Sequence, residues 1–272
     1  MATERAGRSR RQVLAGLAAS AAMWMLGVGS ASADPRAVIR GELDGALREQ
    51  LERAIGEVDG PPANRFEARR RAKGAAEAAE ALIKDYQETA PDFVAEVCIR
   101  DDIGPGLMVS GNSVLVSSAT RMPAARLDAL LQHEVSVHVL TCVNGRQQGL
   151  QVFGNGLAGY EGIQEGLGVF AEYLAGGLTR ARLRLLAARV VAVNALLEGA
   201  DFIETWRLLH HGHGFQHQTA FSIATRAYRS GGLTKDAIYL RGLRQVLSIV
   251  AAHGDLSPFW LGKVAASHAP AI

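Results

Sequence analysis

Two histidines and a glutamate stand close together in the stretch LLQHEVSVHVLTCVNG, as His133, Glu134 and His138. Glu165 follows further along the chain, inside the segment GYEGIQEGLGVFAEY. Two imidazoles and one carboxylate are the protein ligands of an open catalytic zinc site, which keeps a further position for water. Such a site requires the helix that carries the histidines to pack against a second element that carries Glu165. This requirement constrains the fold more than any other feature of the sequence.

The spacing of the two histidines does not suit a regular helix. Residues at i and i+4 share one helical face, whereas His133 and His138, at i and i+5, are separated by about 140° on an ideal α-helix. A π-bulge or a local unwinding near His138 would turn both rings toward one metal ion. We therefore predict an irregularity between Glu134 and Val139. The alternative is a straight core helix with two hydrogen-bonded histidines and no metal.

Glu134 is the candidate catalytic base in the metal-site interpretation. A bound zinc ion polarises a carbonyl group and brings the pKa of a coordinated water toward about 7. Glu134 lies next to a ligand and is not needed as one, so it is free to take the proton from the water. It would then pass that proton to the leaving amine.

Several blocks of the sequence resemble one family of metallopeptidases, which is known by its QEGLA motif and has the tubulin tyrosine carboxypeptidases among its eukaryotic relatives. The blocks are HEVSVHVLTCVNG, GLAGYEGIQEGLGVFAEYL, RAYRSGGLTKDAIYLRGL and the closing LGK, within roughly residues 92–264. The resemblance implies one Zn²⁺ per chain, bound by His133, His138 and Glu165, with Glu134 as the base. It also implies a carboxypeptidase-like reaction on a peptide or protein C-terminus.

The sequence departs from the family pattern at two places. It has QEGLG where the family has QEGLA, and RSGG where the family has RGG. We expect Gly168, the last residue of QEGLG, to loosen its helix by up to about 1 kcal/mol relative to alanine. Neither change removes a proposed ligand.

Residues 1–33 have the pattern of a twin-arginine export signal. The segment SRRQVL is followed by an apolar run and then by the small residues Ala31, Ser32 and Ala33. We expect cleavage after Ala33, which leaves residues 34–272 as a single metallopeptidase-like domain in the periplasm or outside the cell. The alternative is an N-terminal anchor helix, but the apolar run is short against the ~20 residues that span a bilayer.

The net charge indicates which binding partners to expect, and the two cysteines raise the question of a disulfide. The whole chain has 29 Lys and Arg against 27 Asp and Glu, and the predicted signal holds four of the arginines and one glutamate. The mature chain is therefore slightly acidic, so we expect no nucleic-acid partner and no stable membrane anchor after signal removal. Cys98 and Cys142 would form a disulfide in an oxidising compartment or remain buried thiols, and the sequence leaves both alternatives open.

The hydrophobic pattern predicts an α+β fold that is predominantly helical and zincin-like, with a small β-sheet flanking the metal site. Residues 37–89 are predicted as helical and residues 92–118 as short strands. One strand at the sheet edge either binds an extended peptide or only covers the core. The metal helix is predicted over residues 124–143 with a stop at Asn144-Gly145, and a second helix starts near Tyr160.

Further candidate residues follow from the needs of a carboxypeptidase. Tyr239 is predicted to point inward, either as a core residue or as a donor to the oxyanion. A terminal carboxylate requires a cation, for which arginine is well suited, and the candidates are Arg226, Arg229 and Arg241, with structural ion pairing as the alternative. Glu172 either orients a ligand histidine or lies on the surface. The histidines between residues 210 and 217 are interpreted as helix-end residues and not as a second metal site.

The sequence therefore predicts a zinc-dependent peptide hydrolase. The competing hypothesis is an exported metal-binding or interaction protein without peptidase activity. Glu134 favours the enzyme, because a structural zinc site is closed by a fourth protein ligand and gains nothing from a base beside it.

Overall fold

The computed structural model describes residues 69–229, 233–252 and 254–272. The predicted export signal and most of the predicted N-terminal helical region lie outside these residues. Within the described part of the chain, we find no helix whose length and apolar character would let it span a bilayer. The described elements are β1 (Arg69–Arg71), α1 (Ala72–Thr89), β2 (Glu96–Arg100), β3 (Leu107–Ser110), β4 (Ser113–Ser117), β5 (Arg121–Pro123), α2 (Ala124–His133), a π-helical turn (Glu134–Val139), α3 (Leu140–Gln147), α4 (Val152–Asn155), α5 (Tyr160–Leu174), α6 (Arg180–Leu197), α7 (Phe202–Arg207), a second π-helical turn (Leu208–Gly212), α8 (His217–Tyr228) and α9 (Leu233–Ala251).

Three of the strands form a small sheet in the order β2-β4-β3. β3 and β4 make an antiparallel hairpin, and β2 runs parallel to β4 on its other side. The sheet packs through Val114 and Val116 against Val135 and Val139 of the first π-helical turn. A predominantly helical α+β fold with a sheet beside the histidine-bearing helix is therefore confirmed.

Within the described part of the predicted helical region 37–89, residues 72–89 are helical and residues 69–71 are not. Arg69–Arg71 are not helical, since they pair with β5 in a two-stranded antiparallel ribbon. The helix that follows is rich in alanine, the best helix-forming residue. Its buried face consists mainly of alanines and Ile83, which lets it pack closely against the sheet.

The predicted irregularity in the metal helix is confirmed. α2, the first π-helical turn and α3 follow without a break, and the π-helical turn covers Glu134–Val139. The predicted stop at Asn144-Gly145 is wrong, because α3 continues to Gln147. A Cβ atom built on Gly145 would lie 2.3 Å from the carbonyl oxygen of Phe153, so this glycine allows a close backbone contact with α4.

Cys98 and Cys142 are free thiols in the structure. Cys98 lies half-buried in β2 and Cys142 is buried in α3. Of the two alternatives, the structure therefore has the separate thiols and not the disulfide.

Helices α5 and α9 cross in direct backbone contact through glycines. A Cβ atom built on Gly242 would lie 1.8 Å from the carbonyl oxygen of Gly162, and one built on Gly166 would lie 2.2 Å from the carbonyl carbon of Gly242. No side chain fits between the helices at this crossing. As a result, the first turns of α9 lie directly against the part of α5 that carries Glu165.

We predict that Gly242→Ala destabilises the protein by at least about 1–3 kcal/mol, the usual cost of overpacking a close-packed core. The added methyl group meets backbone atoms of α5, which cannot rotate away as a side chain would. Urea unfolding followed by circular dichroism measures the change. The matched control is Gly104→Ala, because a Cβ atom at Gly104 has nothing within 4 Å. Equal unfolding midpoints for the two variants would contradict the proposed contact.

Candidate metal centre

The first π-helical turn brings the two histidines of HExxxH to the same side of their helix. His133 is the last residue of α2, and His138 lies within the π-helical turn. Their ring centroids are 5.0 Å apart. The extra residue in the turn therefore compensates for the spacing that a regular α-helix could not accommodate.

Glu165 of α5 completes the cluster. Its Oε2 atom lies 3.3 Å from His133 Nε2 and 3.7 Å from His138 Nε2. Each of the three residues offers one candidate ligand atom, and these three atoms lie within 4.8 Å of one another. Among the described residues, this is the group of three His, Cys, Asp or Glu side chains that could hold a metal ion. We call these three residues the His-His-Glu cluster.

The donor set of this cluster suits zinc. Two imidazole nitrogens and one carboxylate oxygen are the ligands of several catalytic zinc sites. Bonds of about 2.0–2.2 Å in tetrahedral geometry place neighbouring ligand atoms roughly 3.3–3.5 Å apart. The two distances from Glu165 to the histidines, 3.3 Å and 3.7 Å, are close to that range.

Electrostatics favours an ionised carboxylate at Glu165. Burial on its own would raise the pKa of Glu165, but hydrogen bonds to His133 and His138 and the charges of these residues lower it well below its usual value. A deprotonated carboxylate is the form that binds a metal ion.

Glu172 orients His133. The Nδ1 atom of His133 donates to Glu172 Oε1 at 2.9 Å, which leaves Nε2 facing Glu165. Glu172 is fully buried and also accepts two hydrogen bonds from Arg182, both 2.9 Å long, and one from Arg126. Burial would raise the pKa of Glu172, yet these partners hold it well below its usual value. The surface alternative is therefore wrong, and Glu172 makes the hydrogen bond to His133 that the orienting interpretation requires.

The two carboxylates also determine the charge of His133. Burial alone would lower the pKa of this imidazole, but the hydrogen bonds to Glu165 and Glu172 outweigh burial and raise the pKa to about 9. The ring is thus protonated at neutral pH in the absence of metal. Binding of a metal ion at Nε2 must displace that proton.

Gln164 orients His138, and the sequence analysis did not identify this role. His138 Nδ1 donates to Gln164 Oε1 at 3.3 Å, and Thr141 Oγ1 donates to the same oxygen at 2.8 Å. The amide nitrogen of Gln164 is buried without a hydrogen-bond partner in the described structure. The position of Gln164 directly before Glu165 in the QEGL motif is the sequence signal that could have indicated its role.

Glu134 and Tyr239 both lie beside the cluster. The rings of Tyr239 and His133 are 6.4 Å apart, and the guanidinium group of Arg189 lies 5.4 Å from the Tyr239 ring. Burial, together with the negative charges of Glu165 and Glu134, raises the pKa of Tyr239. Its hydroxyl group therefore stays protonated and can act as a hydrogen-bond donor.

The three candidate arginines lie in different surroundings. Arg226 donates from Nε and one terminal nitrogen to Oδ1 of the buried Asp236, at 3.0 Å and 2.6 Å. Arg229 is exposed just after α8. Arg241 is half-buried on α9, and its guanidinium group lies near Gly162.

Among the described residues, Lys235 is a cation that contacts the cluster directly. Its Nζ atom lies 3.3 Å from Glu165 Oε1. The sequence analysis did not select it, although Lys235 stands four residues before Tyr239 and therefore on the same helical face.

Three of the histidines between residues 210 and 217 pack around one tryptophan. The rings of His210, His211 and His217 gather around the indole of Trp206, at centroid distances of 4.9, 5.7 and 5.0 Å. His210 Nδ1 donates to the carbonyl oxygen of Phe215. These contacts agree with the interpretation as structural residues near a helix end.

Comparison with models of known protein families finds a match to this chain. The family model described as microtubule-associated tyrosine carboxypeptidase matches residues 44–272. None of the curated proteins compared with the chain matches it.

Gly168, the departure from the QEGLA pattern, lies against the candidate ligand His133. A Cβ atom built on Gly168 would lie 2.5 Å from both Cε1 and Nε2 of His133. The absence of a side chain at this position thus allows the imidazole to approach α5 closely. The glycine has a packing role that outweighs its weak helix propensity.

We predict that Gly168→Ala lowers zinc affinity by about 10-fold or more, the usual size of changes that reorient a ligand imidazole. The new methyl group pushes His133 away from Glu165. Competition with a chromophoric chelator measures the affinity. Gly149→Ala is the matched control, since a Cβ atom there has nothing within 4 Å. Unchanged zinc affinity in Gly168→Ala would show that the ring can move without loss of the site.

Proposed function

Since the chain belongs to the microtubule-associated tyrosine carboxypeptidase family, we propose that it is a zinc-dependent carboxypeptidase that removes a single residue from a peptide or protein C-terminus. The observation that carries this proposal is the convergence of His133, His138 and Glu165 into one cluster. Glu134 stands next to that cluster without being a member of it.

The cluster would hold one zinc ion, and the hydrogen bonds to Glu172 and Gln164 leave the Nε2 atom of each histidine for it. A bound zinc ion supplies Lewis acidity that polarises the scissile carbonyl group and a water molecule. Glu172 and Gln164 keep the imidazole rings in the orientation that metal binding needs.

Glu134 performs the proton transfers in this proposal. Its carboxylate takes a proton from the attacking water and later gives it to the amine of the departing residue. A half-buried position next to His133 suits this role, because the carboxylate is near the cluster and still reached by water.

Tyr239 would stabilise the negative charge that develops on the carbonyl oxygen. Because its pKa is raised, the phenol stays protonated and neutral. It can therefore donate a hydrogen bond to the carbonyl oxygen. The guanidinium group of Arg189 adds a positive charge over the face of the ring.

The sheet offers a place for the substrate backbone. β3 is an edge strand, and it packs beside the first π-helical turn. An extended peptide could pair with such an edge and thereby direct its C-terminus toward the cluster.

The substrate class follows in part from the proposed location. A protein exported by the twin-arginine route would act on periplasmic, cell-wall or extracellular peptides, and tubulin is not assumed as its substrate. The family description makes a C-terminal tyrosine the first residue to test.

We expect about one zinc ion per chain in the purified protein and almost none in Glu165→Ala, because an open zinc site depends on all three of its protein ligands. Elemental analysis of both proteins measures this difference. Glu161→Ala is the matched control, since Glu161 is exposed on the same helix. Absence of zinc from the native protein, after incubation with the metal, would contradict the metal site.

We expect Glu134→Gln to lower the rate of hydrolysis by about 10²–10⁴-fold while zinc content stays unchanged, because the amide cannot accept the proton. The assay uses a peptide library that varies the C-terminal residue, with mass spectrometry to detect loss of one residue. Glu161→Gln serves as the control variant. An inactive native protein that binds zinc would instead support the metal-binding protein without peptidase activity.

A further inference from the structure

We propose that Lys235 binds the terminal carboxylate of the substrate and so makes this site specific for free C-termini. The inference rests on the proposed carboxypeptidase function and adds the group that recognises the chain end. It differs from the expectation from sequence, which assigned this role to arginines.

The position of Lys235 is the first observation. Its ammonium group lies 3.3 Å from the outer oxygen of Glu165, Oε1, whereas the other oxygen faces the two histidines. The side chain of Lys235 is 62% exposed and that of Glu165 only 7%. Lys235 therefore lies on the solvent side of the buried cluster, where a substrate would arrive.

The reach of this side chain agrees with the geometry of a peptide C-terminus. The terminal carboxylate belongs to the residue directly after the scissile carbonyl, and consecutive Cα atoms are about 3.8 Å apart. A cation that binds it must therefore lie within roughly one residue of the reacting group. Lys235 meets this condition, and its flexible four-carbon stem can follow a bound carboxylate.

Four arginines around the site are held by buried carboxylates. Arg226 donates to Asp236, and Arg189 lies 3.8 Å from the same carboxylate oxygen. Arg126 and Arg182 both bind Glu172. If one of these arginines turned away to bind a substrate, its carboxylate would lose a partner for its buried charge. Such a loss costs folding free energy.

The partner of Lys235 is bound differently. Glu165 directs its other oxygen to His133 and His138, so its charge is shared among several groups. Lys235 itself is exposed to solvent, which screens the pair and makes it weaker than a pair between two buried groups. Lys235 can therefore exchange Glu165 for an incoming carboxylate at low cost.

The location of Lys235 on α9 supports the same role. Lys235 and Tyr239 stand one helical turn apart, so both side chains lie on the face that the glycine crossing holds against α5. One turn thus presents a cation for the carboxylate, and the next presents a donor for the carbonyl oxygen. This spacing suits a substrate whose scissile carbonyl and terminal carboxylate belong to consecutive residues.

The test compares two peptides that end in tyrosine and differ only in a free acid or an amide at the C-terminus. Isothermal titration measures their binding to zinc-loaded Glu134→Gln, which holds substrate without turnover. We expect the acid to bind about 10–100-fold more tightly, as for a charge-assisted hydrogen bond. Addition of Lys235→Gln should reduce that preference to below about 3-fold, and Lys235→Arg should restore part of it.

Lys73→Gln in the same Glu134→Gln background is the control, because Lys73 is an exposed residue of α1. A zinc titration verifies that the Lys235→Gln protein still loads metal. Equal weakening of acid and amide binding would mean that Lys235 only supports Glu165, and this result would overturn the inference. The same holds if the acid preference persists in Lys235→Gln, or if the parent variant does not distinguish the two peptides.

These outcomes are separate from those that test the proposed function. A native protein that hydrolyses no peptide would overturn the carboxypeptidase function, whereas the acid and amide affinities would still show whether Lys235 reads a carboxylate. Conversely, the native protein could hydrolyse peptides while the Lys235→Gln variant still prefers the free acid over the amide. That result would leave the proposed function intact and assign recognition of the terminal carboxylate to another cation.

Discussion

The backbone contact between α5 and α9 is the constraint on which the arrangement of the site depends. Gly162, Gly166 and Gly242 let the two helices approach until no side chain fits between them. This closeness places Lys235 and Tyr239 of α9 next to Glu165 of α5. With larger residues at the crossing, α9 would be displaced from the cluster, and the groups proposed to contact the substrate would be separated from the groups proposed to bind the metal.

Buried carboxylates hold the other side of the site together. Glu172 joins α5 to α2 through His133 and Arg126, and to α6 through Arg182. A buried charge is tolerated when it is paired and hydrogen-bonded, and the loss of one partner is then strongly destabilising. The orientation of His133 is therefore coupled to the packing of three helices. Asp236 makes a similar connection between α8 and α9 through Arg226.

Local chemistry made much of the fold and of the candidate metal-binding cluster predictable. The i, i+5 spacing of His133 and His138 required a distorted turn, and the π-helical turn lies at the predicted residues. Alternating apolar residues predicted the short strands, and helical periodicity predicted α5. Gly145 was misinterpreted as a helix stop because a glycine needed for close packing and one that ends a helix look the same in a sequence.

The sequence by itself determined which residues have side chains that could bind a metal ion, and it determined the helical distortion that brings the two histidines together. It also determined the helical and strand periods, because these depend on neighbours along the chain. Only the tertiary structure decided which polar groups meet across elements: Gln164 with His138, Arg182 with Glu172, Lys235 with Glu165, and Gly168 with His133. Such contacts depend on how closely helices distant in sequence approach each other, and that distance follows from the packing of whole surfaces and not from any local pattern.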